Sequence, residues 1–199
     1  MASETDLHKA AANNDAALIQ ALLKSGARVD ARDSSERTPL LVATQANAID
    51  AARALIAAGA NVNAKDNIQD SPYLYAAGEG RLEILRLTLS AGADLKSVNR
   101  YGGIGLIPAA HHGYPDIVRE LLKTDIAIDH VNRLGWTALL ETIILSDGGP
   151  THTEILKLLV DAGANVSLAD REGVTPLAHA EKRGYAEMAR ILKAAGAAR

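Results

Sequence analysis

The residues able to do chemistry collect between positions 100 and 152. His111 and His112 are adjacent, His130 and His152 follow, and Glu141 and Asp147 are the nearby carboxylates. Imidazole and carboxylate together are the ligand types of a zinc site or the parts of an acid–base pair. Neighbours on a helix point about 100° apart, so His111 and His112 do not chelate as an i, i+4 pair does. The chain also has no Cys to complete a tetrahedral set. No metal site is therefore expected, and His112 reads as a polar contact at a helix end. No nucleophile–base–orienter series is visible, and Gly148-Gly149 lacks the Lys-Ser/Thr of a phosphate loop. The expected function is non-enzymatic, without a cofactor.

Recognition chemistry is what remains. Arg100 and Arg133 lie 33 residues apart and could form a spaced pair for carboxylates or phosphate. Only six aromatics occur, none of them Phe, and five fall between Tyr73 and Trp136. Tyr101 and Trp136, flanked by Arg, are amphipathic side chains of the kind that dominate binding energy. The competing reading is that they pack on each other and stiffen the turns carrying them. Tyr73 reads as core, whereas Tyr75 can look outward.

Composition narrows the partner. Of 199 residues, 48% are apolar and 23% charged, with a formal net charge of −3. This excludes a disordered chain and gives no electrostatic reason to expect nucleic acid. The absence of Cys excludes a disulfide framework. No apolar run approaches the ~20 residues of a membrane span, and residues 1–9 lack the basic and apolar regions of a secretory signal. The cytoplasm is the default compartment, with the periplasm the alternative for a chain whose leader has been removed. A monomer is expected.

These residues are positioned by an internal repeat. A turn-to-helix signature recurs at Thr5, Thr38, Ser71, Ile104, Thr137 and Thr175, and a helix-ending tracer at Gly26, Gly59, Gly92, Asp125, Gly163 and Gly196. Both keep a spacing of 33, and both place one five-residue insertion between Thr137 and Gly163. In the second unit Thr38 caps a short helix over residues 40–44 with Pro39 at its first position. Asp50 caps a second helix over residues 51–58, Gly59 ends it, and residues 61–70 form an extended segment with a tight turn. Neither helix is long enough to be stable alone, so each must bury its apolar stripe against neighbouring units.

Thr38-Pro39-Leu40, the run from Gly59 to Asp66 and the run from Asp170 to Leu177 resemble ankyrin repeats, specifically those of small stand-alone bacterial ankyrin proteins. The resemblance covers the whole chain and implies an all-α solenoid of six helix–turn–helix units with protruding turn tips. The units are 1–32, 33–65, 66–98, 99–131, 132–169 and 170–199, forming one domain. Polar outer positions in the first unit (Glu4, Asp6, Lys9, Asn13, Asn14) and in the last (Glu181, Lys182, Arg183, Glu187, Arg190, Lys193) suggest finished ends and a complete protein. The family implies protein–protein binding on a concave face made of turn tips and first helices. Here that face centres on units three to five, with Tyr75, Glu79, Arg100, Tyr101, His111, His112, Arg133, Trp136, Glu141 and Asp147 as candidate contacts. The alternative is a small-molecule or anion receptor with a pocket near Tyr101, His112 and Trp136.

Three departures from the repeat stand out. Gly105 replaces the helix-opening Pro in unit four, and Pro108 falls inside the expected helix, where it should shift or kink the start. The glycines around it allow close backbone approach, by a ligand or through local repacking. Gly-Gly-Pro at 148–150 should end the first helix of unit five, with Thr151 or Thr153 capping the second; the insertion is either a tolerated surface loop or a flap over His111 and His112. Glu36 and Gln69 replace the tip glycine, which should strain those turns or change their type.

Overall fold

Four of the six repeats open on a local hydrogen bond. In the computed structural model of the chain, described over residues 4–197, Thr38, Ser71, Thr137 and Thr175 stand in extended backbone. Each side-chain oxygen accepts the N–H three residues on, at 3.1–3.2 Å. Such a cap is worth about 1 kcal/mol. Pro39, Pro72 and Pro176 fill the first helical position, where a missing N–H costs nothing.

The described residues form twelve helices and no strands. The first helices of the repeats are α1 (Glu4–Ala12), α3 (Pro39–Gln45), α5 (Pro72–Gly78), α7 (Leu106–His111), α9 (Ala138–Ile144) and α11 (Pro176–Arg183). The second helices are α2 (Ala16–Lys24), α4 (Ile49–Ala57), α6 (Leu82–Ser90), α8 (Pro115–Leu121), α10 (Pro150–Asp161) and α12 (Ala186–Ala194). Pairs joined by short connections repeat along the chain, so the architecture is a helix–turn–helix solenoid.

The chain divides into two compact halves of several repeats each, hereafter unit 1 (Met1–Arg100) and unit 2 (Tyr101–Arg199). In unit 1, α3 packs on α1 and α5, and α4 on α2 and α6; in unit 2, α9 packs on α7 and α11, and α10 on α8 and α12. The first helices are the more deeply buried. Leu40, Leu41, Ala43, Leu106, Ala109, Leu140 and Ile143 have no exposed surface, and the core is aliphatic and Ala-rich. Tyr73 is fully buried, as expected for a core position. Its hydroxyl has no hydrogen-bond partner, and burial, with the nearby Asp94, raises its pKa.

Left-handed backbone recurs with the repeat. Asn14, Asn47, Gly80 and Gly113 turn between paired helices, and Glu36, Gln69, Gly102, Gly135 and Gly173 turn at the tips. Glu36 (φ 61°) and Gln69 (φ 71°) therefore keep the tip geometry and accept its strain. Asp125 is absent from the positive-φ set. There α8 is seven residues long against nine for α2, α4, α6 and α12.

Several helix boundaries differ from the sequence expectation. Asp50 does not cap α4: the N-cap is Ala48, with no side-chain bond. Asn14 of the preceding repeat serves that end instead, accepting the Ala51 N–H at 2.9 Å and donating to Asp50 at 3.2 Å. Pro108 shifts the start of α7 to Leu106 and occupies its third position; the first-turn N–H groups lack intrahelical partners in any case. Pro150 begins α10 rather than ending α9, and Gly149 is its N-cap. Thr151 and Thr153 thus lie within α10, and the insertion is spent largely on lengthening α10 to 12 residues.

Candidate functional site

Four of the turn tips are each built by one carboxylate or amide. The Oδ1 atoms of Asp33, Asp66, Asn132 and Asp170 each accept backbone N–H groups two and four residues ahead, at 2.9–3.1 Å. This side-chain mimicry of a backbone turn fixes which residues protrude. In unit 2 the protruding residues are Tyr101, 54% exposed, and Leu134, 49% exposed. They occupy the same position of successive repeats. The Arg133 N–H donates to the Tyr101 carbonyl at 3.0 Å, which holds the two tips in register. Val131, 47% exposed, adds apolar surface at the base of the second tip.

The arginines of unit 2 are seated by glycine. A Cβ on Gly102 would lie 2.7 Å from Arg133 Cγ, and one on Gly135 would lie 2.5 Å from Arg171 Cγ. Each aliphatic stem therefore crosses the tip before it, over a residue with no side chain. The close approach that the glycine-rich stretch permits is taken at Gly102 by the chain's own Arg133, which answers the ligand reading of that glycine. Arg133 and Arg171 are exposed.

Behind the tips, Trp136 is half-buried and precedes α9, while Glu141 lies in α9 with only 5% exposure. Asn132 Nδ2 donates to Glu141 Oε1 at 2.7 Å. Burial pushes the Glu141 carboxyl up to about 7, against the opposing effect of that hydrogen bond. His111 Nδ1 stands 3.7 Å from Glu141 Oε2, beyond hydrogen-bond reach. Burial, then the neighbouring His112 and His152, lower the His111 pKa. Burial thus disfavours the charged form of both groups, and the pair is not a fixed salt bridge.

The histidines are individually employed. His112 is the exposed C-cap of α7, its ring 4.7 Å from His111 and edge-on to Tyr114 at 6.1 Å. His152 Nε2 bonds the His111 carbonyl at 2.9 Å, serving an α7 end. His130 is drawn away from them, to the Gly102 carbonyl at 2.8 Å. His179 bonds Asp170 Oδ2 at 2.6 Å. Among the described residues no three such side chains converge as a metal would require.

The insertion is held in place. The Tyr185 hydroxyl donates to the Ser146 carbonyl at 2.7 Å, and Gly148 (φ 72°) lies so close to the Tyr185 ring that a Cβ would collide with it. Arg183 donates to the Ile144 carbonyl at 3.2 Å. Asp147 is exposed, but its carboxylate accepts the Gly149 N–H at 2.8 Å and shapes the turn. These bonds make the segment a strut to the following repeat, while His152 at its end reaches back to the His111 carbonyl.

Three expected contacts fall in unit 1. Tyr75 is half-buried with Arg81 bonded to its hydroxyl, and burial raises its pKa, helped by Glu79. Glu79 is the exposed C-cap of α5. Arg100 is exposed and 3.9 Å from Asp70, whose carboxyl is raised by burial and by Asp66. Leu134 and Arg171 hold the same tip positions as Tyr101 and Arg133, whereas nothing in the repeat singles out Tyr185. The available signal was spacing: Arg133 lies 31 residues past Gly102, and Arg171 36 past Gly135, the difference being the five-residue insertion.

Known proteins match this arrangement. The family model described as "Ankyrin repeats (3 copies)" matches residues 7–99, 73–169 and 106–198. The Escherichia coli (strain K12) protein YahD, described as an ankyrin repeat protein, is 50% identical over 62 residues, a stretch spanning 31% of this chain and 31% of that relative. The crystal structure of an ankyrin repeat domain from Acinetobacter baumannii AYE superposes with a TM-score of 0.95 at 57% identity, covering 98% of this chain and 100% of that one. The ankyrin repeat domain of Bcl-3, a member of the IkappaB family, gives 0.87 at 25% identity over 96% of this chain and 86% of that one. Among the described residues no helix is long and apolar enough to cross a membrane. With the repeat running through both units and matched from residue 7 to residue 198, the chain belongs to the ankyrin-repeat family.

Proposed function

We propose that the chain is a non-enzymatic binding module that docks another protein on the face formed by its turn tips and first helices. The core of that surface is the unit 2 part, around Tyr101, Arg133, Leu134 and Trp136. Ankyrin repeats are in general protein-interaction modules, and a rigid preorganised face lowers the entropy cost of docking. The observation that carries the reading is Tyr101. In a chain with six aromatics, one is held 54% exposed on a tip that is hydrogen-bonded in register with the next. Large exposed apolar groups grouped in this way mark interaction sites. Tyr75, Glu79 and Arg100 present the corresponding face of unit 1, while His111, His112 and Glu141 lie on the first helices of unit 2. Affinity capture from native lysate with the wild type and with Tyr101→Ala/Trp136→Ala tests the reading. The double variant is expected to lose captured protein; identical captured sets would refute it.

A further inference from the structure

The apolar tips and the seated arginines of unit 2 alternate with the repeat. Tyr101 protrudes from one tip and the Arg133 stem crosses that tip at Gly102; Leu134 protrudes from the next and the Arg171 stem crosses that one at Gly135. Each rung therefore offers one apolar side chain and one guanidinium. The run is bounded: in the last repeat the position of Tyr101 and Leu134 is taken by the exposed acid Glu172. In unit 1 the tips carry Ser35 and Ile68, and the arginine position of the repeat after each holds Asn67 and Arg100.

The spacing of the rungs selects a ligand. Stacked helices lie 8–10 Å apart, so equivalent groups on successive tips recur at about 10 Å. An extended peptide in the polyproline II conformation has three residues per turn and rises about 3.1 Å per residue, so every third side chain returns to the same face about 9 Å on and meets the next rung. A guanidinium pairs best with a planar carboxylate, through two parallel hydrogen bonds. We propose that the tip face of unit 2 recognises an extended acidic segment of a partner protein, with a carboxylate at every third residue for Arg133 and Arg171 and apolar side chains between them against Tyr101 and Leu134. This rests on the docking reading above and adds the chemistry of the partner. A peptide fits better than a nucleic acid, because the strip is short, alternates with apolar groups and belongs to a chain of net charge −3.

The test is fluorescence anisotropy with a labelled nine-residue amidated peptide that has glutamate at every third position and leucine and threonine between. Controls are its glutamine analogue, a peptide of the same composition with the glutamates at alternate positions, and a ten-nucleotide single strand. The period-three glutamate peptide is expected to bind about ten-fold tighter than either peptide control. Arg133→Gln/Arg171→Gln, which shortens the stems but removes both charges, should weaken it by a similar factor with an unchanged melting temperature. Absence of binding, equal binding of the glutamine or alternate-position peptide, tighter binding of the oligonucleotide, or indifference to the double variant overturns the proposal. A capture experiment separates this inference from its premise. If Arg133→Gln/Arg171→Gln keeps the captured set that Tyr101→Ala/Trp136→Ala loses, the acidic segment is refuted and the docking face stands; if neither variant alters the set, both fall.

Discussion

Asn132 donates from Nδ2 to the buried carboxyl of Glu141 at 2.7 Å, and one repeat later the same two positions hold Asp170 and His179 at 2.6 Å. The donor has changed sides. In one repeat the turn supplies the N–H and the helix the carboxyl; in the next the turn supplies the carboxylate and the helix the imidazole. Both pairs tie a turn tip to the first helix behind it.

That exchange predicts opposite pH responses. Glu141 has a folded pKa of about 7 against 4.5 unfolded, so its contribution is full below pH 4.5 and is lost as pH rises through 7. Glu141→Gln keeps the acceptor for Asn132 without the charge. It should match the wild type at pH 4.5 and be more stable at pH 8 by about 2 kcal/mol, after allowance for partial hydration. Urea titrations at the two pH values measure this, and no gain at pH 8 contradicts it.

Asp170 responds in the other sense. Burial works against its charge, but the hydrogen bonds from His179, Val174 and Glu172 outweigh it, and the pKa is lowered from 3.8. Its contribution is present above pH 3.8 and disappears as pH falls through the lowered value. Asp170→Asn should lower the melting temperature at pH 7 and leave a smaller loss on acidification than the wild type shows, a difference that calorimetry from pH 7 to pH 3 reads directly.

The strut between repeats can be tested at Gly148. Gly148 and Gly173 both have positive φ, at 72° and 76°, but only Gly148 faces a ring; around Gly173 there is open space. Gly173→Ala should cost about 1 kcal/mol for backbone strain alone. Gly148→Ala must also displace Tyr185 and should cost about 2–3 kcal/mol. Equal losses in denaturant melts would mean that the Tyr185 contact bears no load.

The strained tips of unit 1 should respond to glycine. Glu36 and Gln69 hold φ values of 61° and 71° where later repeats place Gly102, Gly135 and Gly173. Glu36→Gly and Gln69→Gly relieve that strain at the cost of more unfolded-state freedom, for a net gain of about 0.5–1 kcal/mol each. A fall in the urea midpoint for either variant would show that the side chain contributes more than its backbone costs.

Much of the fold is legible in the residues themselves. Thr38, Ser71, Thr137 and Thr175 cap first helices because a hydroxyl before a helix start serves free N–H groups locally, and such signals depend only on near neighbours. The second helices are less legible. The end of α4 is served by Asn14, 37 residues away from the Ala51 N–H it accepts, so Asp50, the nearest capping type, misleads. The candidate site divides in the same way. The exposure of Tyr101 follows from its place in the repeat, but the seating of Arg133 on Gly102 and the bond from Tyr185 to Ser146 join residues 31 and 39 apart. The first recurs one repeat on, as Arg171 over Gly135, so only the spacing signals it; the second depends on the insertion, which the other repeats lack. Pro108 misleads for a simpler reason: a helix that starts one residue late converts a breaker into a tolerated first-turn residue.

On the proposed function, Tyr101 and Trp136 serve docking rather than folding. The most direct measurement pairs the melting temperature of Tyr101→Ala/Trp136→Ala with the set of proteins it captures from native lysate. The expected result is a melting temperature within about 3 °C of the wild type, roughly 1 kcal/mol for a domain of this size, together with loss of captured protein. A fall of several kcal/mol, as for core aromatics, or an unchanged captured set would contradict it.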